Sequence, residues 1–255
     1  NARPAADQIP WGISNTGADL VHSLTGNLGT HVRVGFIDTG VDCTQPDLSA
    51  RVVGGFDFVN QSSNFCNFYQ AFNSDGYHGT SVAGVIAASE NGLGVVGMAP
   101  LADLYSYWVC DAQCLGARIV AAFDSAITQH VQVINLSLAT CGSGTLTVDE
   151  RSAVAAAQAA GIIVVAAAGN GECGSGDSLS AYARLPNVIA VTAMQADFTT
   201  VPGYQYGPQV SLAAPTNVIT DSLGASLGFF NGTSAATPHV TGAVALLIAA
   251  GHTTS

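Results

Sequence analysis

Short apolar segments that alternate with helical patterns are the feature of this sequence that most constrains its fold. Residues 32–37, 131–137 and 162–168 consist largely of apolar side chains, and residues 117–129 place apolar side chains at helical spacing. Strands that are apolar on both faces are typical of a parallel sheet covered by helices on both sides. The sequence therefore predicts an α/β fold with three layers, a doubly wound, mostly parallel sheet with helices on both faces.

The same patterns predict where ligands bind. Further strands are predicted over 102–109 and 187–192, and further helices over 79–88, 149–160 and 237–250. In open α/β sheets, ligands bind beyond the carboxyl ends of the strands. We therefore expect the functional side chains to lie at that edge.

The composition favours one folded domain. Of the 255 residues, 48% are hydrophobic and 9% are charged, whereas a disordered chain needs low hydrophobicity and high charge. No repeat or proline-rich linker divides the sequence, so we expect a single domain over residues 1–255. The apolar runs are far shorter than the ~18–20 residues that span a bilayer. Because the chain begins at Asn1 and not at methionine, its N-terminus is expected to be processed or engineered.

The charge argues against two classes of partner. The six cationic residues are all arginine, and 17 acidic residues bring the formal net charge to −11. Such a field repels polyanions, so we expect neither a nucleic acid nor an anionic membrane surface as a partner.

The cysteines indicate an oxidising compartment. They occupy positions 43, 66, 110, 114, 141 and 173, and none forms the C-x-x-C pair that is typical of structural zinc. An even count without metal spacing favours three disulfides and a secreted protein. The alternative is a cytosolic protein with six buried thiols.

Three residues carry side chains that suit a common chemistry. Asp38 follows a predicted strand, His78 stands where a glycine-rich turn enters a helix, and Ser234 stands at a loop-to-helix entry. Pro238 is expected to mark the start of that last helix, because proline is tolerated near the first turn. Taken singly, each has a structural explanation: a cap or loop anchor for Asp38, a structural role for His78 and an N-cap for Ser234.

Together these residues supply the parts of a hydroxyl nucleophile system. Serine is a poor nucleophile at neutral pH and needs a base, for which histidine is well suited. A buried carboxylate then fixes the tautomer of the imidazole. Asn170 follows the predicted strand over 162–168, where its amide suits donation to a developing oxyanion.

The sequence resembles the subtilisin-like serine proteases, the subtilases. The resemblance rests on Asp38-Thr39-Gly40, on His78-Gly79-Thr80 and on the segment GTSAATP at residues 232–238, in the order Asp, His, Ser that the family shows. It extends from about residue 7 to residue 250. It implies a secreted serine endopeptidase that acts on proteins or peptides, as a monomer, with a propeptide or a protein inhibitor as a further partner.

The resemblance also implies a role for each residue of the site. Ser234 would attack the scissile carbonyl, His78 would accept and later deliver its proton, and Asp38 would orient His78. Asn170 and the backbone N–H of Ser234 would hold the oxyanion.

Three departures from the family pattern are visible. Ser81 stands where the family often has a second histidine, and Ala235 stands where it often has methionine. Without a thioether beside the nucleophile, inactivation by peroxide is expected to be slow. The catalytic domains of the family also commonly extend a few tens of residues beyond the position of Ser255.

The family binds its substrate as an extended strand against exposed strand edges. The matching residues here are Leu115, Gly116, Ser137, Leu138, Ala139, Ala168 and Gly169. Small apolar walls at residues 138–139 and 166–168, without an acid, imply an apolar or aromatic preference before the cleaved bond. The alternative is that these alanines are strand core and that specificity is set elsewhere.

A calcium site is also implied by the resemblance. Residues 89–95 resemble the loop that surrounds Ca²⁺ in many subtilases. The implied ligands are the side chains of Asp7, Asp47 and Asn91 and the carbonyls of Ser89, Leu93 and Val95, an all-oxygen set of the kind that Ca²⁺ prefers. The alternative is a glycine-rich surface turn without metal.

One disulfide pairing is favoured among the fifteen that six cysteines allow. Cys141 and Cys173 follow two strands whose loops should lie at the same end of the sheet, so we pair them. Cys110 and Cys114 are close enough to close a small loop, which leaves Cys43 with Cys66. The other pairings stay open at this stage.

Rival functions are disfavoured by motif order. An α/β-hydrolase esterase needs G-x-S-x-G and the order Ser, acid, His, whereas Ser234 comes last here and Ala236 replaces the second glycine. A metalloprotease would need H-E-x-x-H, which the sequence lacks. A non-catalytic protein of subtilase shape would usually lack one of the four site residues.

Overall fold

A parallel sheet is the central element of the computed structural model, which describes residues 7–68, 77–140, 146–171 and 178–253. Its strands are β1 (Arg33–Asp38), β2 (Val52–Asp57), β3 (Asp103–Trp108), β4 (Val133–Leu136), β5 (Ile163–Ala167), β6 (Val188–Met194) and β7 (Leu212–Pro215). They lie in the order β2-β3-β1-β4-β5-β6-β7, and each neighbouring pair is parallel. Strands β8 (Val218–Asp221) and β9 (Leu227–Phe230) form a separate antiparallel hairpin.

Helices cover both faces of the sheet. They are α1 (Trp11–Thr16), α2 (Ala18–Thr25), α3 (His78–Ala87), α4 (Gly116–Thr128), α5 (Val148–Ala159) and α6 (Thr233–Ala249). Helices α3 and α6 contribute to one apolar core, and α4 and α5 contribute to a second. Among the described residues, no helix is both long and apolar enough to cross a membrane.

Alternating side chains along the strands divide between these two cores. In β1, Val34 and Phe36 belong to the core under α3 and α6, whereas Ile37 belongs to the core under α4 and α5. In β5, Val165 and Val164 divide in the same way. Because consecutive strand residues face opposite sides, strands buried on both faces must be apolar throughout. The predicted α/β fold with a parallel sheet between two helical layers is confirmed.

The apolar patterns predict the long elements but miss the short ones. Every predicted helix and strand overlaps an observed one, with bounds that differ by a few residues. The patterns do not predict α1, α2, β2 or the strands β7 to β9. The last three strands have four residues each, and β2 contains Gly54 and Gly55, so neither offers a readable period.

The expected start of the last helix is wrong. Helix α6 begins at Thr233, so Pro238 lies inside it and does not mark its first turn. A proline at this position removes the N–H that the carbonyl four residues earlier, that of Ser234, would accept. The Ser137 hydroxyl donates to that carbonyl at 3.0 Å instead. This bond from another element makes the internal proline tolerable.

Two of the three predicted disulfides lie in the described part of the chain. Cys43 bonds to Cys66, and Cys110 bonds to Cys114, as predicted. The predicted pair of Cys141 with Cys173 lies outside the described residues and stays a prediction. The first bridge ties the loop after β1 to the segment at residues 62–68.

Candidate active site

Asp38 and His78 form a hydrogen-bonded pair at the carboxyl edge of the sheet. Asp38 is the last residue of β1, which lies between β3 and β4, and its side chain is fully buried. His78 is the first residue of α3, and its Nδ1 lies 2.7 Å from Oδ1 of Asp38. A carboxylate can only accept, so Nδ1 carries the proton and Nε2 is left as the basic nitrogen.

Glycine at position 79 allows α3 to approach the loop after β1. A Cβ on Gly79 would lie 2.1 Å from the carbonyl oxygen of Gly40 and 3.2 Å from Oδ1 of Asp38. The Gly79 N–H donates to Oγ1 of Thr39 at 3.0 Å, and the Thr39 N–H donates to Oδ1 of Asp38 at 2.7 Å. The two sequence motifs around Asp38 and His78 are therefore packed against each other.

Ser234 lies in the first turn of α6. Gly232 occupies the N-cap position with φ +89°, a conformation that favours glycine, so the structure does not support an N-cap role for Ser234. The Ser234 hydroxyl donates to the Ser137 carbonyl at 3.3 Å. First-turn N–H groups lack acceptors within their own helix, so the N–H of Ser234 suits a developing oxyanion.

Threonine 233 holds the side chain of Asn170. Oδ1 of Asn170 accepts from the Thr233 N–H at 2.7 Å and from the Thr233 hydroxyl at 2.9 Å. That hydroxyl also accepts from the Gly169 N–H at 3.1 Å. Because the oxygen end of the amide is fixed in this way, the Nδ2 end is the one directed away from Thr233. Sequence reasoning did not find Thr233, although it lies inside the motif around Ser234.

The hairpin of β8 and β9 contacts His78, and the sequence does not predict this contact. The ring of Phe230 meets the imidazole of His78 edge to face, with centroids 5.2 Å apart. Ser81, the residue in place of the family's second histidine, donates its hydroxyl to the Asp221 carbonyl at 2.7 Å. The hairpin that leads into α6 is thus fastened to α3.

The predicted substrate-binding segments follow strands of the same edge. Leu115 is exposed and precedes α4, and Ser137 to Ala139 follow β4 directly. Ala139 is exposed, whereas Leu138 is buried. Ala168 is fully buried, and its N–H and carbonyl are bonded to Val191 and Ser180. Of the residues predicted to bind substrate, Leu115 and Ala139 therefore lie at the surface, whereas Leu138 and Ala168 are buried.

A buried glutamate braces this region. Glu150 caps α5 together with Thr147 and accepts from the Tyr182 hydroxyl at 2.7 Å. A Cβ on Gly116 would lie 2.8 Å from its Oε1, so the carboxylate contacts the predicted substrate edge. Burial by itself raises the pKa of Glu150, but the hydrogen bonds from Tyr182 and Thr147 outweigh it and leave the pKa below its ordinary value.

His239 lies in α6, five residues after Ser234, and is 2% exposed. Its Nδ1 donates to the Ala235 carbonyl at 2.8 Å. Burial lowers the pKa of His239 to about 4, although this hydrogen bond acts in the opposite direction. The side chain is therefore neutral at neutral pH. The proposed chemistry does not use it.

The residues predicted to bind calcium lie together. Asp47 is fully buried and accepts from the Val95 N–H at 3.2 Å and from the Asn91 amide at 3.1 Å. Oδ2 of Asp7 accepts from the Gly92 N–H at 2.9 Å, and its buried Oδ1 has no hydrogen-bond partner among the described residues. Asp7 and Asp47 thus both contact residues 91–95, and an unsatisfied carboxylate oxygen against that loop fits a hard cation. No group of three or more His, Cys, Asp or Glu side chains placed to hold a metal ion occurs in the described ranges.

Comparison with known proteins shows similarity along nearly the whole chain. The family model described as "Subtilase family" matches residues 29–254. Subtilisin NAT of Bacillus subtilis subsp. natto is 38% identical over 251 residues, which are 97% of this chain and 63% of that protein. Subtilisin of Bacillus pumilus is 38% identical over 95% of this chain and 86% of its own length. Subtilisin Savinase of Lederbergia lenta is 39% identical over 95% and 85%, respectively. The chain thus spans less than two thirds of the first of these relatives.

Proposed function

The chain belongs to the subtilase family, and from that membership and the geometry above we propose that it is a serine endopeptidase. The observation that carries the proposal is the 2.7 Å bond between His78 and the fully buried Asp38. It leaves Nε2 of His78 as the basic nitrogen at the carboxyl edge of the sheet, and the Ser234 hydroxyl contacts the Ser137 carbonyl, which follows β4 at the same edge.

Each step of the reaction uses a group of this chain. His78 accepts the Ser234 proton as the hydroxyl oxygen attacks the substrate carbonyl, and it later delivers that proton to the leaving amine. Asp38 stabilises the imidazolium that forms in between. The Asn170 amide and the Ser234 N–H donate to the oxyanion, and water then hydrolyses the acyl-enzyme.

Labelling by a serine-directed sulfonyl fluoride tests this proposal. The intact chain should be labelled at Ser234 and should digest a denatured protein, and both should be lost in Ser234→Ala and in His78→Ala. The exposed Ser63 offers a matched control, since Ser63→Ala should keep both labelling and digestion. Absence of labelling in the folded, unmodified chain would favour a non-catalytic protein of subtilase shape.

Loss of Asn170 gives a graded test of the oxyanion site. Asn170→Ala should lower kcat by about 10²–10³, the loss known for the corresponding kind of donor in a subtilisin. KM should change little, because the donor acts mainly in the transition state. An unchanged kcat would remove Asn170 from the site.

The proposed substrates are proteins or peptides, bound as an extended strand along Leu115–Gly116 and Ser137–Ala139, with an apolar or aromatic side chain before the cut. None of these residues is acidic, and the nearby carboxylate of Glu150 is buried and already accepts from Tyr182 and Thr147. Peptides with phenylalanine, leucine, alanine or arginine before the cleaved bond test the preference. A strong preference for arginine would contradict the proposed pocket.

Calcium is proposed as a structural cofactor. Asp7, Asp47 and Asn91 would hold it with carbonyls of the 89–95 loop, and the bound cation would neutralise the carboxylates of Asp7 and Asp47. Addition of calcium to chelator-treated protein should raise the unfolding temperature. At a calcium concentration of 100 times the dissociation constant, the free energy of unfolding should increase by about 2.7 kcal/mol. Asp47→Asn should abolish the rise. A calcium-independent unfolding temperature would contradict the site.

The two disulfides also support a proposed secretion, because such bonds persist in oxidising compartments. Within this proposal the chain forms a single catalytic domain, acts as a monomer, and has a propeptide or protein inhibitor as a further partner.

A further inference from the structure

The carbonyl of the proposed nucleophile has an unusual partner. In an α-helix each carbonyl accepts from the N–H four residues later. For Ser234 that position is Pro238, which has no N–H. The Ser137 hydroxyl donates to this carbonyl at 3.0 Å. A side chain that follows β4 therefore completes the first turn of α6.

The direction of the Ser137 hydroxyl is set by Asn135. The Asn135 amide nitrogen donates to the Ser137 oxygen at 2.9 Å. A hydroxyl has one proton, and with an incoming donor on its oxygen that proton is directed to the Ser234 carbonyl. The hydrogen bond is thus oriented by a second residue of the same strand and loop.

A third side chain returns to the helix. The Thr241 hydroxyl lies 2.9 Å from the Asn135 amide oxygen and 3.2 Å from the Thr237 carbonyl, and its single proton suits the nearer acceptor. Asn135 and Thr241 are fully buried and Ser137 is 4% exposed, so the three side chains have little access to water as an alternative partner. We name these three side chains the α6 anchor. They tie α6 to the end of β4 at Ser234 and again at Thr241.

We propose that the α6 anchor positions the Ser234 hydroxyl and N–H for attack and for oxyanion binding. This inference rests on the proposed peptidase function. The residues of the anchor act through Ser234, so they are positioning residues and not catalytic ones. The first turn of α6 carries both reacting groups of Ser234, and a shift of its carbonyl moves both.

Two substitutions release the anchor at different points. Ser137→Ala leaves the Ser234 carbonyl without its donor, and Thr241→Val removes the donor to Asn135 with little change in shape. Thr241→Ser keeps the hydroxyl and serves as the rescue variant. Thr16→Val is the matched control, because the Thr16 hydroxyl also bonds to helix carbonyls, those of Gly12 and Ile13, but belongs to α1.

The measurements separate positioning from folding. For Ser137→Ala and Thr241→Val we expect kcat to fall about tenfold, less than for loss of a direct oxyanion donor. KM should stay within about twofold. Affinity for a peptide boronic acid, which bonds to Ser234 and places an oxygen in the oxyanion site, should fall by the same factor as kcat/KM. Thr241→Ser and Thr16→Val should retain both values.

Several results would overturn the proposal. Unchanged kcat and boronate affinity in Thr241→Val, with only a lower unfolding temperature, would show that the anchor is purely structural. Equal losses in Thr16→Val would show that any hydroxyl bonded to helix carbonyls matters as much. If Ser137→Ala does not fold, the Thr241→Val and Thr241→Ser pair decides alone. An unmodified chain without activity or labelling would instead refute the proposed function.

Discussion

Acid should destabilise the fold through His239, and His239→Gln isolates the effect. The imidazole is 2% exposed, and burial lowers its pKa from 6.5 to about 4, against the opposing hydrogen bond to Ala235. Between these two pH values the unfolded chain binds a proton that the folded chain does not. Above about pH 6.5, His239 therefore costs the folded state nothing. As the pH falls from 6.5 toward 4, the free energy of unfolding decreases.

The size of the loss follows from the two pKa values. With ~1.4 kcal/mol for each tenfold change in proton affinity, the free energy of unfolding falls by about 2 kcal/mol at pH 5 and by about 3 kcal/mol below pH 4. Carboxylates add their own losses at the acid end. The difference between parent and variant removes those common contributions.

Urea unfolding at a series of pH values measures the effect. Both chains should carry Ser234→Ala, so that self-cleavage does not interfere, and tryptophan fluorescence can report unfolding because Trp108 is buried. Between pH 8 and pH 5 the parent should lose about 2 kcal/mol more than His239→Gln. The same substitution at the exposed His252 should leave the parent's loss in place. Parallel pH curves for parent and His239→Gln would refute the reasoning, whatever the absolute stability of the variant.

Three further predictions concern single contacts. Gly79→Ala should lower kcat/KM by at least about 10²-fold, because its Cβ would force Gly40 and α3 apart. In the control Gly228→Ala, the Cβ would meet nothing nearer than 3.5 Å, so kcat/KM should change little. Replacing Cys43 and Cys66 by serine should lower the free energy of unfolding in urea by about 3 kcal/mol, and replacing Cys110 and Cys114 should lower it by about 2 kcal/mol. The first bridge contributes more because it closes the longer loop. Equal losses would contradict the loop argument. Ala235→Met should make activity sensitive to peroxide at concentrations that the parent withstands, and equal rates of inactivation would show that the thioether is not the target.

The elements that position the candidate site could be predicted because their patterns are local. Strands β1, β4 and β5 are apolar on both faces, and the motifs at Asp38, His78 and Ser234 each lie within a few consecutive residues. Because parallel strands have their carboxyl ends at the same edge of the sheet, the residues that follow these strands are expected to lie close together.

Features that depend on distant partners could not be predicted. The rule that keeps proline near a helix start assumes that a lost N–H leaves a carbonyl unpaired. At Pro238 that assumption fails, because the compensating donor, Ser137, lies 97 positions from Ser234. Phe230 against His78 and Glu150 against Gly116 are likewise pairings that no periodicity reveals.

The place of α6 in the chain order bears on when activity can arise. This helix packs against β1, β4, β5, β6 and β7, yet it follows all of them in sequence. On a ribosome, the strands would emerge before the helix that fills one of their two cores, and before Ser234 itself. Incompletely made chains would therefore have neither a finished core nor a nucleophile. The proposed peptidase would therefore be inactive toward its own nascent copies until α6 had docked.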